Sequence, residues 1–447
     1  MRLAAICFSH MPSHPLLSGP ANSPWRHRFA VLTALATLLL IGMGGLVTSN
    51  EAGMSVPDWP TSNGYNMFAL PIKFWKGGIF YEHTHRLWAS LVGVLVVALT
   101  RWLGGRASRR PLAIIGLAEV LAGCGIFLLW PNLRATGHFL TGIGGVVLLA
   151  ALVWARNAPP KPPLVQLGWL AFALVQFQGL LGGLRVVLFD SEIGIFHAAL
   201  AQLFFVLLCV IALLTSKWWQ NGNIKHRTPN IEHRIVSQAT EPRSFDVRCS
   251  MFSVRYFPNA LFLFATGLIF LQLVLGATMR HQHAGLAIPD FPLAYGRIWP
   301  ATDAASVASY NEHRMELTAA NPITAFQIDL QMAHRVVAVL ILAAVIGCSW
   351  SAFRNFTWRS PLTKLAALWL GLILVQVALG AATIWSKKAA DIATAHVLVG
   401  AVSLAAGALS CIICFRNPEP ARAVVVSPAG AGGPASRSFA AKTAPAQ

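Results

Sequence analysis

Charge is scarce in this chain. Only 11% of its 447 residues are Asp, Glu, Lys or Arg, against about 25% in an ordinary soluble domain. That excludes a water-soluble globular fold, and the 55% hydrophobic content fits a chain embedded in lipid. Acids are the scarcer sign: 16 Asp and Glu stand against 34 Lys and Arg, for a net charge of +18. The basic excess does not indicate nucleic acid, because most Lys and Arg residues fall in the loops of one side, the positive-inside pattern. Short alternating apolar segments, the mark of barrel strands, are also missing. The apolar runs are long and continuous, and several exceed the roughly 20 residues a helix needs to cross a bilayer. Each such helix satisfies its own backbone polar groups. Cysteine is absent from the long loops assigned to the outer side, so no structural disulfide is expected there. The seven cysteines (Cys7, Cys124, Cys209, Cys249, Cys348, Cys411 and Cys414) fall in helices, the N-terminal tail or the central basic loop. Cys411 and Cys414 have CxxC spacing but lie near the inner end of the last span, where they read as small apolar helix residues.

The pattern predicts an all-α polytopic membrane protein of about ten spans: 28–49, 79–102, 111–130, 137–155, 166–188, 193–215, 258–279, 329–352, 362–385 and 392–415. Residues 1–27 carry Arg but no acid and read as a cytoplasmic tail. Residues 216–257 form a basic linker, and 416–447, rich in Ala, Pro and Ser, read as a disordered tail. Arg101, Arg106, Arg109 and Arg110 follow the second span, Arg156 and Lys161 the fourth, Lys217 to Arg255 the sixth, and Arg354, Arg359 and Lys364 the eighth. All fall on one side, so both termini are expected in the cytoplasm. The expected location is the plasma (inner) membrane, with the mitochondrial inner membrane as the alternative.

The chain repeats itself directly. "EAGMSVPDWP" after the first span recurs as "HAGLAIPDFP" after the seventh, pairing Gly53 with Gly285, Pro57 with Pro289 and Asp58 with Asp290. The offset is 232 at Gly53/Gly285, 249 at His85/His334 and 199 at His197/His396. The drop places an insertion of about 108–160 in the first half, supplying two spans. The core is therefore two tandem four-helix bundles, at 28–215 and 258–415, plus an inserted helical hairpin. Direct repeats of this kind are related by an axis along the membrane normal.

Four histidines, His85, His197, His334 and His396, stand at matching places near the outer ends of spans. An imidazole inside a membrane is costly and usually functional, although any one alone can simply bond between helices. Facing helices of a bundle can hold a cofactor between such side chains. Haem iron takes axial imidazoles, whereas zinc wants three or four ligands per site; each half offers two, which favours haem. Glu82 stands three residues before His85, on the same helix face, where the second half has Gln331. The alternative for Glu82 is an ion pair with Arg86 at i+4. Arg86, Arg335, Arg185 and Arg280 suit haem propionates, or else snorkel to the interface. His83, His281, His283 and His313 read as solvated loop residues, and His138 as an interhelical contact. "QGLLGGLR" and "QVALGAAT" read as small-residue packing faces, and the "PDWP" and "PDFP" stretches, with Trp59 and Phe291, as caps over the two sites.

Together "GMSVPDWP", "EHTHR" and "QGLLGGLRV…H" in the first half, with "GLAIPDFP", "MAHR" and "QVALGAATI…AH" in the second, resemble the haem A synthase family over about residues 28–102 and 165–415. The resemblance implies oxidation of the C8 methyl of haem O to a formyl group by successive hydroxylations, giving haem A for cytochrome oxidase. It implies haem b on His334 and His396, with Arg335 nearby, and substrate haem on His85 and His197, with Arg86. It makes Glu82 the catalytic acid. Implied partners are haem O, an electron donor, haem O synthase and oxidase assembly factors, and self-association is left open. Two features depart from the family. Some members carry a cysteine pair in the first outer loop, and residues 50–78 have none; the inserted hairpin lies outside the eight-span pattern. A di-haem b cytochrome fed by quinol uses four histidines equally well, but needs no Glu82 asymmetry. A transporter also tolerates direct repeats, but no broken midplane helix is visible.

Overall fold

The computed structural model describes residues 24–153, 162–220, 252–313 and 322–416. The expected tails before residue 24 and beyond 416, and the basic linker at 221–251, lie outside the described residues, as do Cys7 and Cys249. Nine described stretches are long and apolar enough to cross a membrane, and one of them, Gly77–Leu129, contains two helices. The protein is an all-α, multi-pass membrane protein. Among the described residues the only extended pairings are two isolated bridges, Ser62 with Tyr65 and Ala294 with Arg297.

The helices of the first half are α1 (Pro24–Ser49), α2 (Gly77–Gly104), α3 (Arg109–Leu129), α4 (Arg134–Leu152), α5 (Pro162–Leu188) and α6 (Ser191–Thr215). Those of the second are α7 (Phe252–His281), the short α8 (Ala304–Glu312), α9 (Ala325–Asn355), α10 (Pro361–Trp385) and α11 (Ala390–Arg416). All ten long helices start ahead of the expected spans; α1 begins four residues inside the stretch read as tail, α7 six residues inside the stretch read as linker, and α5 and α9 four residues early. Local chemistry fixes several ends. The Asp190 carboxylate accepts from the Glu192 N–H to open α6. Thr324 and Gln327 form a reciprocal capping box at the start of α9.

Helices α1, α2, α5 and α6 pack as a closed ring of four, each on its two neighbours. Helices α7, α9, α10 and α11 make a second ring with the same connectivity. The rings meet along α1 and α6 on one side and α7 and α11 on the other. Small side chains allow the approach: a Cβ on Gly45 of α1 would stand 3.0 Å from Thr394 of α11. Across the same junction Arg280 of α7 donates to the Gly45 carbonyl at 2.8 Å and the Ser49 hydroxyl at 2.6 Å. Each ring has its own core, with Val96, Leu99 and Leu208 in the first and Phe262 stacked on Trp369 in the second.

The α3–α4 hairpin stands outside the first ring, against α2 and α5. Its two helices are in backbone contact, because Gly116 and Gly123 face Gly144 and Gly137 with no room for a Cβ. Two polar contacts hold it to the ring, and a third braces the turn that leads into it. Gln176 of α5 donates to Glu119 of α3 at 2.9 Å, and Arg101 of α2 donates to the Val153 carbonyl just beyond α4 at 2.9 Å and to the Gly105 carbonyl. His138 lies against Phe127 across the hairpin, with ring centres 4.5 Å apart, as an interhelical contact.

Candidate functional site

Both rings carry the same arrangement at the same end. Their histidines come from diagonally opposed helices, His85 (α2) and His197 (α6) in one, His334 (α9) and His396 (α11) in the other. The other diagonal supplies glycines. Gly44 (α1) and Gly182 (α5) face His85 and His197, and Gly276 (α7) and Gly380 (α10) face His334 and His396. A Cβ on these glycines would stand 3.1, 3.4, 3.4 and 3.3 Å respectively from the facing Cε1. Each glycine therefore forms a cradle for one imidazole edge.

A glutamine four residues before three of these glycines backs the same histidine. Gln178, Gln272 and Gln376 donate from Nε2 to the backbone carbonyls of His197, His334 and His396 at 3.1, 2.9 and 2.9 Å. Leu40 takes that place in α1. The four rings are partly buried, yet Nδ1 of each is enclosed without a hydrogen-bond partner. The carbonyls of Leu40, Gln178 and Gln376 lie close to the rings of His85, His197 and His396 without reaching bonding geometry at Nδ1.

Over each ring lies a loop of one design. In the first, the Asp58 carboxylate accepts from the N–H groups of Asn63 (2.7 Å) and Gly64 (2.8 Å). In the second, Asp290 accepts from Tyr295 (2.7 Å) and Gly296 (2.9 Å). Asn63-Gly64 and Tyr295-Gly296 both have positive φ at both residues, the geometry of a tight primed turn. The loops are latched to the histidine helices. Arg86 donates to the carbonyls of Val56 (2.6 Å), Asp58 (2.7 Å) and Thr61 (3.0 Å), and Arg335 to those of Asp290 (2.7 Å) and Leu293 (2.9 Å). Both guanidinium groups thus face the loops, where the sequence pointed to haem propionates. Trp59 wedges onto Gly183 and meets Phe139 of the hairpin at 5.1 Å, while Phe291 meets Trp385 at 6.1 Å.

Glu82 and Gln331 hold equivalent posts. One Glu82 oxygen accepts from the Val56 N–H at 2.8 Å, as Gln331 accepts from the Ile288 N–H at 2.7 Å. The other Glu82 oxygen forms an ion pair with Arg86 at 2.7 Å, both side chains being nearly enclosed. Gln331 instead donates to the Ile288 carbonyl at 3.3 Å. The first half therefore carries a buried negative charge, three residues from His85, that the second half lacks. Asp58 lies outside the spans. Burial pushes its carboxyl upward, but hydrogen bonds from the Thr61 side chain and the Gly64 and Asn63 N–H groups outweigh this and hold it below its ordinary value.

A family model described as cytochrome oxidase assembly protein (COX15-CtaA) matches residues 134–407, more than half of the chain. The chain belongs to this family. It is also similar to proteins named Heme A synthase. One from Hyphomonas neptunium is 24% identical over 399 residues, covering 83% of this chain and 94% of that protein. One from Halalkalibacterium halodurans is 22% identical over 395 residues, covering 87% and 97%. One from Methylobacterium nodulans is 35% identical over 150 residues, covering 28% and 41%.

In this chain the residues present fit haem. The centres of the His334 and His396 rings are 6.5 Å apart. Metal–imidazole bonds run about 2.0–2.1 Å and a ring nitrogen stands about 1.1 Å from its ring centre, so a metal between two imidazoles separates the centres by roughly 6.3 Å. Among the described residues no three His, Cys, Asp or Glu side chains converge, so each half offers two axial ligands of the kind haem iron takes. A ring N–H turned toward a helix carbonyl is the usual second contact of a metal-bound histidine.

Sequence reasoning missed the cradle glycines and their glutamines, which it read as generic packing faces. The Gln-x-x-x-Gly spacing, present three times, was the signal. It also misplaced His83, which is buried, sits 3.3 Å from the Ser62 hydroxyl and packs on Trp75. His283 and His313 are exposed, as expected of loop residues, whereas His281 ends α7 half-buried with its ring against Gly194.

Proposed function

We propose that this chain is a haem A synthase, an oxidoreductase that oxidises the C8 methyl of haem O to a formyl group by successive hydroxylations and supplies haem A for cytochrome oxidase. The observation that carries the reading is a duplicated bis-histidine cradle whose two copies differ in charge. Likeness over most of the chain to proteins named Heme A synthase supports it.

His334 and His396 hold a resident haem b, which supplies an electron-transfer centre when bound. His85 and His197 hold the substrate porphyrin. Arg335 and Arg86 serve the two sites through the loops they fasten over them, and these loops keep bulk water from the histidine ends. Glu82 is the acid of the substrate half: its carboxylate stabilises positive charge or passes a proton as the methyl is oxidised. Arg86 holds that carboxylate in place through a charge-assisted bond. The histidine end faces the extracytoplasmic side of the plasma membrane and both termini the cytoplasm, because Lys and Arg concentrate at the opposite end.

Pigment analysis tests the proposal. The chain is expressed in a host that makes haem O but not haem A, and its non-covalent haems are extracted and weighed. Haem A or its hydroxymethyl precursor beside haem b is the expected result. Haem b alone at two per chain would instead identify a di-haem electron-transfer cytochrome.

A further inference from the structure

Of the arginines around the two sites, three are engaged. Arg86 and Arg335 hold the loops, and Arg280 donates to Gly45 and Ser49. Arg185 of α5 is different. No hydrogen bond or ion pair engages its guanidinium among the described residues, although the group is partly buried. Glu82, His85 and His197 all lie within its electrostatic reach. The Glu82 carboxylate is already bonded to Arg86 and to the Val56 N–H. A cation inside a membrane protein normally finds an anionic partner.

The space around Arg185 is shaped for it. Its guanidinium lies flat on Gly53 of the first loop, where a Cβ would fall 2.5 Å from Nη2. Its Nε would be 3.1 Å from a Cβ on Gly194, at the start of α6, a glycine that also clears the His281 ring. The second half has none of this. Thr383 takes the place of Arg185 and bonds its own helix at the Leu379 carbonyl, 2.8 Å away. Ala393 replaces Gly194, and Gly285, the partner of Gly53, has nothing near it. The cation and its cradle thus belong only to the half with Glu82.

We infer that Arg185 binds a propionate carboxylate of the substrate porphyrin and so positions its macrocycle. The inference rests on the proposed function. Two axial histidines fix the iron but leave the macrocycle free to turn about the axis between them. On haem O the C8 methyl stands on the same pyrrole as one propionate. A guanidinium fork takes a carboxylate in a bidentate, directional contact, so anchoring that propionate also fixes where the reacting methyl lies. The half that only keeps its haem needs no such selection.

The test uses the full chain in nanodiscs with haem b in place. Haem O and its dimethyl ester, which lacks both carboxylates, are titrated into the first-half site and followed in the Soret region. The wild type prefers the free acid by about 10-fold to 100-fold, the range of a charge-assisted contact. Arg185→Met binds both forms alike, near the ester's affinity, with the haem b spectrum unchanged. An equal affinity of the wild type for acid and ester overturns the inference; that result is also expected if the cation serves a lipid phosphate. A preference that survives Arg185→Met overturns it as well. Should Arg185→Met fail to retain haem b, Arg185→Lys decides: the preference falls if the fork makes the contact, and an unchanged preference overturns the assignment. His85→Ala identifies the site being read, since it weakens both forms. Failure of the wild type to bind haem O at all would overturn the proposed function itself.

Discussion

Substituting Gly44 by alanine is the most direct perturbation of a histidine cradle. The added methyl would stand 3.1 Å from Cε1 and 3.6 Å from Nδ1 of His85. The ring must yield by a few tenths of an ångström. Overpacking of this kind costs about 1–3 kcal/mol, while replacing glycine by alanine inside a helix returns about 1 kcal/mol. The protein without substrate can turn the imidazole aside, so its unfolding midpoint should move little. The bound state needs the ring in place, so the cost appears in binding, as about a 5-fold to 100-fold loss of haem O affinity. Titration in the Soret region reads that loss, and a thermal melt of the same sample reads stability. Gly182→Ala and Gly276→Ala are the controls, because their methyl groups would meet His197 and His334 at 3.4 Å, an ordinary contact. Wild-type affinity in Gly44→Ala, or a larger loss in Gly182→Ala, would refute the cradle.

Other perturbations separate the parts. Glu82→Gln keeps the acceptor for the Val56 N–H but loses the charged bond to Arg86, which retains its loop carbonyls. It should cost about 1.5–3 kcal/mol in the melt, keep haem b and abolish haem A; full activity would remove Glu82 from the chemistry. Asp58 has a folded-state pKa below its unfolded one. Its contribution to stability is therefore complete at neutral pH, fades as pH falls through the ordinary carboxylate range near about 4, and is gone below the folded value. Asp58→Asn should flatten the acid limb of a melt-versus-pH curve, and an unchanged limb would contradict this. Gly123→Leu forces a side chain onto the backbone at Thr141 and Gly137; it should open the hairpin to protease while haem b is retained, and loss of haem b would show that the hairpin supports the sites.

Much of the fold was legible because lipid imposes long apolar helices, and because the duplicated "PDWP" and "PDFP" loops set the register between the halves. The histidines stood out for the same reason: their place repeats. What surrounds them did not show. A glycine four residues after a glutamine looks like any packing stripe until the histidine helix lies across from it. Arg86 and Arg335 looked like partners for propionates, yet loop carbonyls some 25 to 45 residues away in sequence take their donors. His83 sat among apparent loop residues, and only the folded loop brings Ser62 and Trp75 to it. The ion-pair alternative for Glu82 followed from i+4 spacing and is present; its use of the Val56 N–H depends on the loop folding back, which local sequence does not encode.

The central claim is that two like cradles do different work. Purified His85→Ala and His334→Ala proteins, each expressed where haem O is made, test it through their extracted haems. His85→Ala should retain haem b and contain no haem A, while His334→Ala should lose haem b. Equal losses of the same haem from both variants would contradict the account.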